Sequence, residues 1–185
     1  MEAIIVSGMP AVGKTTLARM IGETFGFRLL SGGDALKEIA IERGYHLSGS
    51  NWWDTDEGMR FLAERKSNPD FDHLIDQKLI VAAESGGTVI TSYTLPWIWQ
   101  KGIKFWLEAD IEVRAGRLAK RDSIPLVNAM KIVEQRDIEN RGLYASLYGM
   151  ALGEDLSVFD HVINTERIGN KEVADEAIAI LRNKL

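Results

Sequence analysis

Gly8-Met9-Pro10-Ala11-Val12-Gly13-Lys14-Thr15 decides the reading of this chain. The segment follows the pattern G-x-x-x-x-G-K-T in full, and Thr16 extends it. Glycines at its ends let the backbone wrap so that N–H groups converge on phosphate oxygens. A helix predicted to begin near Lys14 adds the positive end of its dipole. In this pattern the lysine ammonium reaches the β- and γ-phosphates, and the threonine hydroxyl ligates magnesium. Gly8, Met9, Pro10, Ala11, Val12, Gly13, Lys14, Thr15 and Thr16 are therefore the candidate site for ATP with Mg2+. Lys14 is the candidate catalytic cation and Thr15 the candidate metal ligand. The motif alone does not separate kinases from GTPases or other ATPases, but the chain has no base-reading N-K-x-D sequence.

The flanking sequence gives the motif its context. Ala3 to Ser7 is a short apolar run suited to a buried parallel strand. Lys14 to Phe25 reads as a helix, with Gly26 as its C-cap. Further strands are predicted at Arg28–Leu30, Thr88–Thr91, Ile103–Leu107 and Val162–Asn164. Helices are predicted at 35–43, 57–66, 70–85, 111–121, 126–148 and 171–185, with Ser31-Gly32-Gly33-Asp34 as a break. Alternating strands and helices predict an α/β fold, a parallel sheet covered on both faces. The helix pairs near 35–85 and 111–149 are long excursions from it, placed to close over the carboxyl edge where ligands bind.

Composition limits the alternatives. The chain has 185 residues, 45% hydrophobic and 26% charged, enough for one domain with a sizeable core. A net charge of -5 argues against a global grip on nucleic acid or an anionic membrane. The absence of cysteine excludes disulfides, thiolate metal sites and cysteine nucleophiles. The N-terminus lacks a basic n-region, and no stretch approaches the ~20 apolar residues of a membrane span. A cytoplasmic monomer acting on small-molecule nucleotides is expected.

Arg114, Arg117 and Arg121 fall within roughly 60° of one another on a helix, and Arg136 and Arg141 follow on the next. Clustered guanidiniums repel unless an anion sits between them, and a transferring phosphoryl group is one candidate. Arg117, Arg121 and Arg136 are the candidate catalytic arginines, with Arg117 also meeting ATP. Salt bridges to Asp122, Glu134, Asp137 or Glu139 are the alternative. On the acceptor side, Asp34 is a candidate to hold a magnesium-bound water or orient an acceptor, and equally to cap a helix, and these roles can coexist. Asp72 and Asp76, four apart on one helix face, are candidates to meet a base or sugar. Trp52, Trp53, Trp97 and Trp99 offer either base stacking or packing.

With these residues in place, the chain resembles the nucleoside monophosphate kinases, and more specifically the archaeal-type cytidylate kinases. The resemblance covers nearly its whole length. Its segments are Gly8–Thr15, Ser31-Gly32-Gly33-Asp34, Ile41-Glu42-Arg43-Gly44, Asp72-x-x-x-Asp76, Val113–Arg121, Leu147-Tyr148-Gly149 and Phe159–Thr165. It implies a three-layer P-loop NTPase fold on a five-stranded parallel sheet. The core is expected at 1–34, 86–113 and 150–185, the monophosphate-binding excursion at 35–85 and the lid at 114–149. It also implies transfer of the γ-phosphoryl group of ATP to CMP or dCMP. Where relatives carry Gly-Arg after the third strand, this chain has Thr91-Ser92-Tyr93-Thr94-Leu95-Pro96-Trp97. Lys37 and Gln77-Lys78 also stand where arginine is expected, and the insert around Trp52-Trp53-Asp54 is atypical. Lys37, Arg43 and Tyr93 then join Asp34, Asp72 and Asp76 as candidate acceptor contacts. Two rivals stand beside this reading: a P-loop kinase of another small acceptor, such as a shikimate-like alcohol, and a nucleotide-binding accessory protein with weak ATPase activity.

Overall fold

The computed structural model describes residues 2–47, 56–68 and 70–185. Trp52, Trp53 and Asp54 lie outside the described residues. Strand β1 (Ile4–Gly8) runs through the middle of a sheet and ends on the first glycine of the phosphate loop. Helix α1 (Lys14–Phe25) follows, then β2 (Arg28–Ser31) and α2 (Gly32–Glu42). Helices α3 (Asp56–Ser67) and α4 (Asp70–Glu84) lead to β3 (Thr88–Thr91). A four-residue helix, α5 (Leu95–Ile98), precedes β4 (Ile103–Glu108). The helix pair α6 (Ile111–Asp122) and α7 (Leu126–Tyr148) then leads to β5 (His161–Asn164) and α8 (Asn170–Arg182).

The five strands are all parallel, in the order β2-β3-β1-β4-β5. Side chains alternate across each strand, so β1 feeds two cores. Ile4 and Val6 pack with Phe105, Leu107 and residues of α1 and α8. Ala3 and Ile5 pack with residues of α2, α3, α4 and α5. Because the strands are parallel, all of them end on one edge. Gly8, Ser31, Thr91, Glu108 and Asn164 mark it, and the loops beyond them carry the candidate site. Among the described residues no helix is long and apolar enough to cross a membrane.

Two sequence-based expectations change. The Gly32-Gly33 pair does not break the chain but opens α2, because Ser31 caps it. The Asp34 N–H donates to Ser31 Oγ at 3.1 Å, and the Ser31 N–H donates back to Asp34 Oδ2 at 3.0 Å. This reciprocal pair satisfies two otherwise orphaned donors. Helix α5 is an addition, since the sequence pattern assigns no element to Leu95–Ile98. Its signal was Pro96 in the first turn, where a missing N–H costs nothing.

Gly8 shows how tightly the loop is fixed. Its φ is +144°, and a Cβ there would stand 2.4 Å from the Leu107 carbonyl oxygen and 2.9 Å from Val12 Cγ1. Backbone strain and overpacking together predict that Gly8→Ala loses about 2–6 kcal/mol. Urea unfolding should show a lower midpoint with an unchanged slope. An unchanged midpoint would contradict the tight approach of β1 to β4.

Candidate active site

The phosphate loop is built as its sequence requires. Ala11 has φ +62° and Gly13 φ +112°, so the backbone turns left-handed twice before α1 begins. A Cβ on Gly13 would meet nothing within 4 Å, so the left-handed backbone rather than crowding calls for glycine there. Lys14 Nζ lies inside, donating to the Gly8 and Met9 carbonyl oxygens at 2.7 and 2.9 Å. It also sits 3.5 Å from the Tyr93 hydroxyl and 4.6 Å from the centre of that ring. Burial, reinforced by the Arg114 guanidinium and opposed by Asp137, brings the Lys14 pKa down to about 7.

Thr15 is exposed in the first turn of α1, with its hydroxyl free to face a ligand. Among the described residues, no group of three or more His, Asp or Glu side chains is placed to hold a metal. Magnesium keeps several waters and takes few protein ligands when it binds beside phosphates. Thr15 is the residue here that would hold it. The Asp34 carboxylate is committed to the Ser31 N–H and hydroxyl, so the structure favours the helix-end role over the magnesium role for that residue.

The lid arginines divide. Arg114 is buried and forms a bidentate pair with Asp137, at 2.9 and 2.7 Å. It also donates to the Pro10 carbonyl at 3.2 Å, tying α6 and α7 to the phosphate loop. Arg117 donates to the Val12 carbonyl at 3.0 Å and to Thr165 Oγ1 at 2.9 Å. It lines a narrow crevice with Val12, Gly13, Thr16, Thr165 and Asn170, on the side of the loop away from Tyr93. Arg121 is exposed and paired with Asp122. For Arg114 and Arg121, salt bridging is therefore what the structure contains. Arg136 is exposed on α7, close enough to oppose the burial that pushes the Tyr93 pKa up to about 12.

A cavity of about 260 Å³ opens beside Lys14. Its walls include Ser31, Arg65, Asp72, Asp76, Tyr93 and Tyr144. Arg65 holds Asp72 at 2.6 Å. Asp76 accepts hydrogen bonds from Thr94 Oγ1 and the Tyr148 hydroxyl. Its pKa is raised, chiefly by burial and against those two hydrogen bonds. Asp72, Asp76 and Tyr93 are thus brought together as candidate acceptor contacts. Lys37 and Arg43 are not. Lys37 does not line the cavity, and Arg43 turns to Glu64 at 2.8 Å and stacks on Phe71. Lys78 turns to Glu42 and Glu38 on α2. Trp97 packs edge-on against Trp106 and Phe159, and Trp99 is buried, so the described tryptophans pack rather than face the cavity.

Sequence reasoning missed Arg65, Thr94, Asn140, Tyr144 and Tyr148. One signal was present: Arg136, Asn140, Tyr144 and Tyr148 recur every four residues and so share a slowly turning face of α7. Asn140 and Tyr144 on that face line the cavity, which makes α7 its roof.

A phosphate loop at the centre of a parallel sheet, with an arginine-bearing helix pair over it, defines a P-loop kinase. Residues 3–167 match the model of the cytidylate kinase-like family, and the chain belongs to that family. It is an enzyme of the nucleotide-kinase class. A cytidylate kinase from Pyrococcus horikoshii is 33% identical over 165 residues, covering 89% of this chain and 80% of the relative. One from Pyrobaculum aerophilum is 34% identical over 170 residues, covering 91% and 86%. Among solved structures, shikimate kinase from Acinetobacter baumannii in complex with shikimate has a TM-score of 0.57 at 20% identity, covering 100% of this chain and 96% of that one. A gluconokinase from Sinorhizobium meliloti has a TM-score of 0.55 at 15% identity, covering 98% and 92%. These two show the shared fold.

The lowered Lys14 pKa has a measurable consequence. A bound triphosphate favours the charged amine and returns its pKa toward the ordinary 10.5. Between pH 7 and that value, binding takes up a proton, so affinity rises as pH falls through this window. Calorimetry at pH 8 in two buffers of different ionisation enthalpy should show uptake of up to about one proton per ATP, absent in Lys14→Ala. Equal uptake in the parent and the variant would remove Lys14 as its source.

Proposed function

We propose that the chain transfers the γ-phosphoryl group of ATP to CMP or dCMP. The observation that carries this reading is the wall of the 260 Å³ cavity, where Asp72, Asp76 and Arg65 stand within one pocket beside Lys14. An ionised carboxylate only accepts hydrogen bonds, which suits the amino group of cytosine over the carbonyl of uracil. The curated relatives named above are cytidylate kinases, which supports the same substrate.

In this reading the acceptor phosphate oxygen attacks the γ-phosphorus. The bond to the β-phosphate oxygen breaks, and CDP and ADP leave. The protein supplies position and charge rather than covalent chemistry. Residues Gly8 to Thr16 cradle the donor phosphates, and Lys14 neutralises charge on the group in transit. Thr15 would help to hold magnesium, which would supply further positive charge against the donor phosphates. Arg117 serves the donor at its crevice, and Arg121 and Arg136 come from the lid onto the phosphates. Arg65 replaces Lys37 and Arg43 as the acceptor's cation. We also read 35–85 as the acceptor-binding excursion and 114–149 as the lid, in a cytoplasmic monomer.

One observation favours a second reading, a small alcohol as acceptor. Tyr93 stands where the resemblance to cytidylate kinases leads one to expect arginine, and Arg65 is the one guanidinium among the described residues lining the cavity. A coupled assay with ATP and magnesium separates the two. CMP and dCMP should be used in preference to UMP, AMP, GMP and shikimate-like alcohols. Arg65→Ala should raise the KM for CMP by about tenfold or more, the usual cost of losing a charge-assisted hydrogen bond. Robust transfer to an alcohol, with none to any monophosphate, would overturn the cytidylate reading.

A further inference from the structure

We infer that Tyr148, at the C-terminal end of the lid helix, positions Asp76 and so couples the lid to selection of the acceptor. The inference rests on the nucleotide acceptor proposed above. Its starting point is the Leu147-Tyr148-Gly149 segment, which the phosphate chemistry leaves without a role. Gly149 ends α7 in a left-handed turn at φ +65°, and its N–H donates to the Ala145 carbonyl at 3.0 Å. That fixes the backbone one residue beyond Tyr148. The Tyr148 hydroxyl crosses to α4, where it meets Asp76 Oδ2 and lies 3.0 Å from His73 Nδ1.

The hydrogens can be followed. Ser92 Oγ accepts the Thr94 and Leu95 backbone N–H groups, each at 3.1 Å. Its own hydrogen therefore points to Thr94 Oγ1, 3.2 Å away, and the Thr94 hydrogen goes to Asp76 Oδ1. Tyr148 has one hydrogen. When it goes to Asp76 Oδ2, His73 Nδ1 carries the proton that completes the second contact. One donor on each carboxylate oxygen fixes the plane of Asp76. Each oxygen retains a lone pair for a ligand in the cavity. Thr94 belongs to the loop after β3 and stays with the core. Tyr148 belongs to α7, in the segment read above as the lid. The orientation of the acceptor-reading carboxylate is thus completed by the same helix that carries Arg136 and the Asp137 partner of Arg114.

Tyr148→Phe removes the hydroxyl and keeps the ring that packs edge-on against His73. Steady-state kinetics and CMP calorimetry on a variant with the parent's unfolding midpoint test the inference. We expect the KM and Kd for CMP to rise by about tenfold, as for loss of one hydrogen bond to a charged group. The preference for CMP over UMP should fall by a similar factor, with the KM for ATP unchanged. Parent-like CMP affinity and preference in the variant would overturn the coupling and leave the acceptor assignment standing. A parallel rise in the KM for ATP would also overturn it, because the effect would then be general loosening. If the parent protein bound neither CMP nor UMP, the acceptor reading itself would fail and this inference with it.

Discussion

The buried pair between Arg114 and Asp137 is the interaction on which the site depends. One guanidinium joins four pieces of structure: α6 through its own backbone, α7 through Asp137, the phosphate loop through the Pro10 carbonyl, and the end of β4 through the Ala109 carbonyl. Both partners are about 5% exposed. Such a pair adds little net stability, because desolvation offsets its Coulomb energy. Breaking it by removing one partner is a different matter, costing about 3–5 kcal/mol for the charge left behind. Its geometry ties α6 and α7 to the phosphate loop. It also sets the electrostatics of the loop, since Arg114 joins burial in lowering the Lys14 pKa.

Helix α7 gains a second role from this anchoring. Asp137 reaches the phosphate loop through Arg114, whereas Asn140 and Tyr144 line the cavity and Tyr148 bonds Asp76 on its wall. A single helix therefore carries residues tied to the phosphate loop and residues on the cavity wall. Arg117 closes the circuit from α6 by bonding to Val12 in the loop and to Thr165 beyond β5. The carboxyl edge of the sheet supplies the fixed floor.

The parts of the site legible in the sequence are those whose residues are contiguous. Gly8 to Thr15 carry their own geometry, so their reading needed no tertiary contact. Helices α1 and α7 could be bounded because Gly26 and Gly149 end them in left-handed turns. The cavity beside Lys14 was less legible because its wall is assembled from α2, α3, α4, α7 and the loop after β3. Asp72 and Asp76 showed as an i, i+4 pair, but their partners Arg65, Thr94 and Tyr148 come from elsewhere. Lys37 and Arg43 were chosen by position and charge alone. Sequence does not reveal that Arg43 is held by Glu64 and the Phe71 ring. The arginine stripe on α6 was visible, but one face of a helix wraps far enough for Arg114 to be buried while Arg121 is exposed.

The most direct test of the account follows the γ-phosphorus itself. ATP, CMP and magnesium are mixed with the protein, and the phosphorus spectrum is recorded as ATP declines. The account predicts that the β-phosphorus signals of ADP and CDP grow together, in equal amounts, with no inorganic phosphate beyond the no-acceptor control. Loss of ATP to inorganic phosphate, at a rate indifferent to CMP, would contradict it.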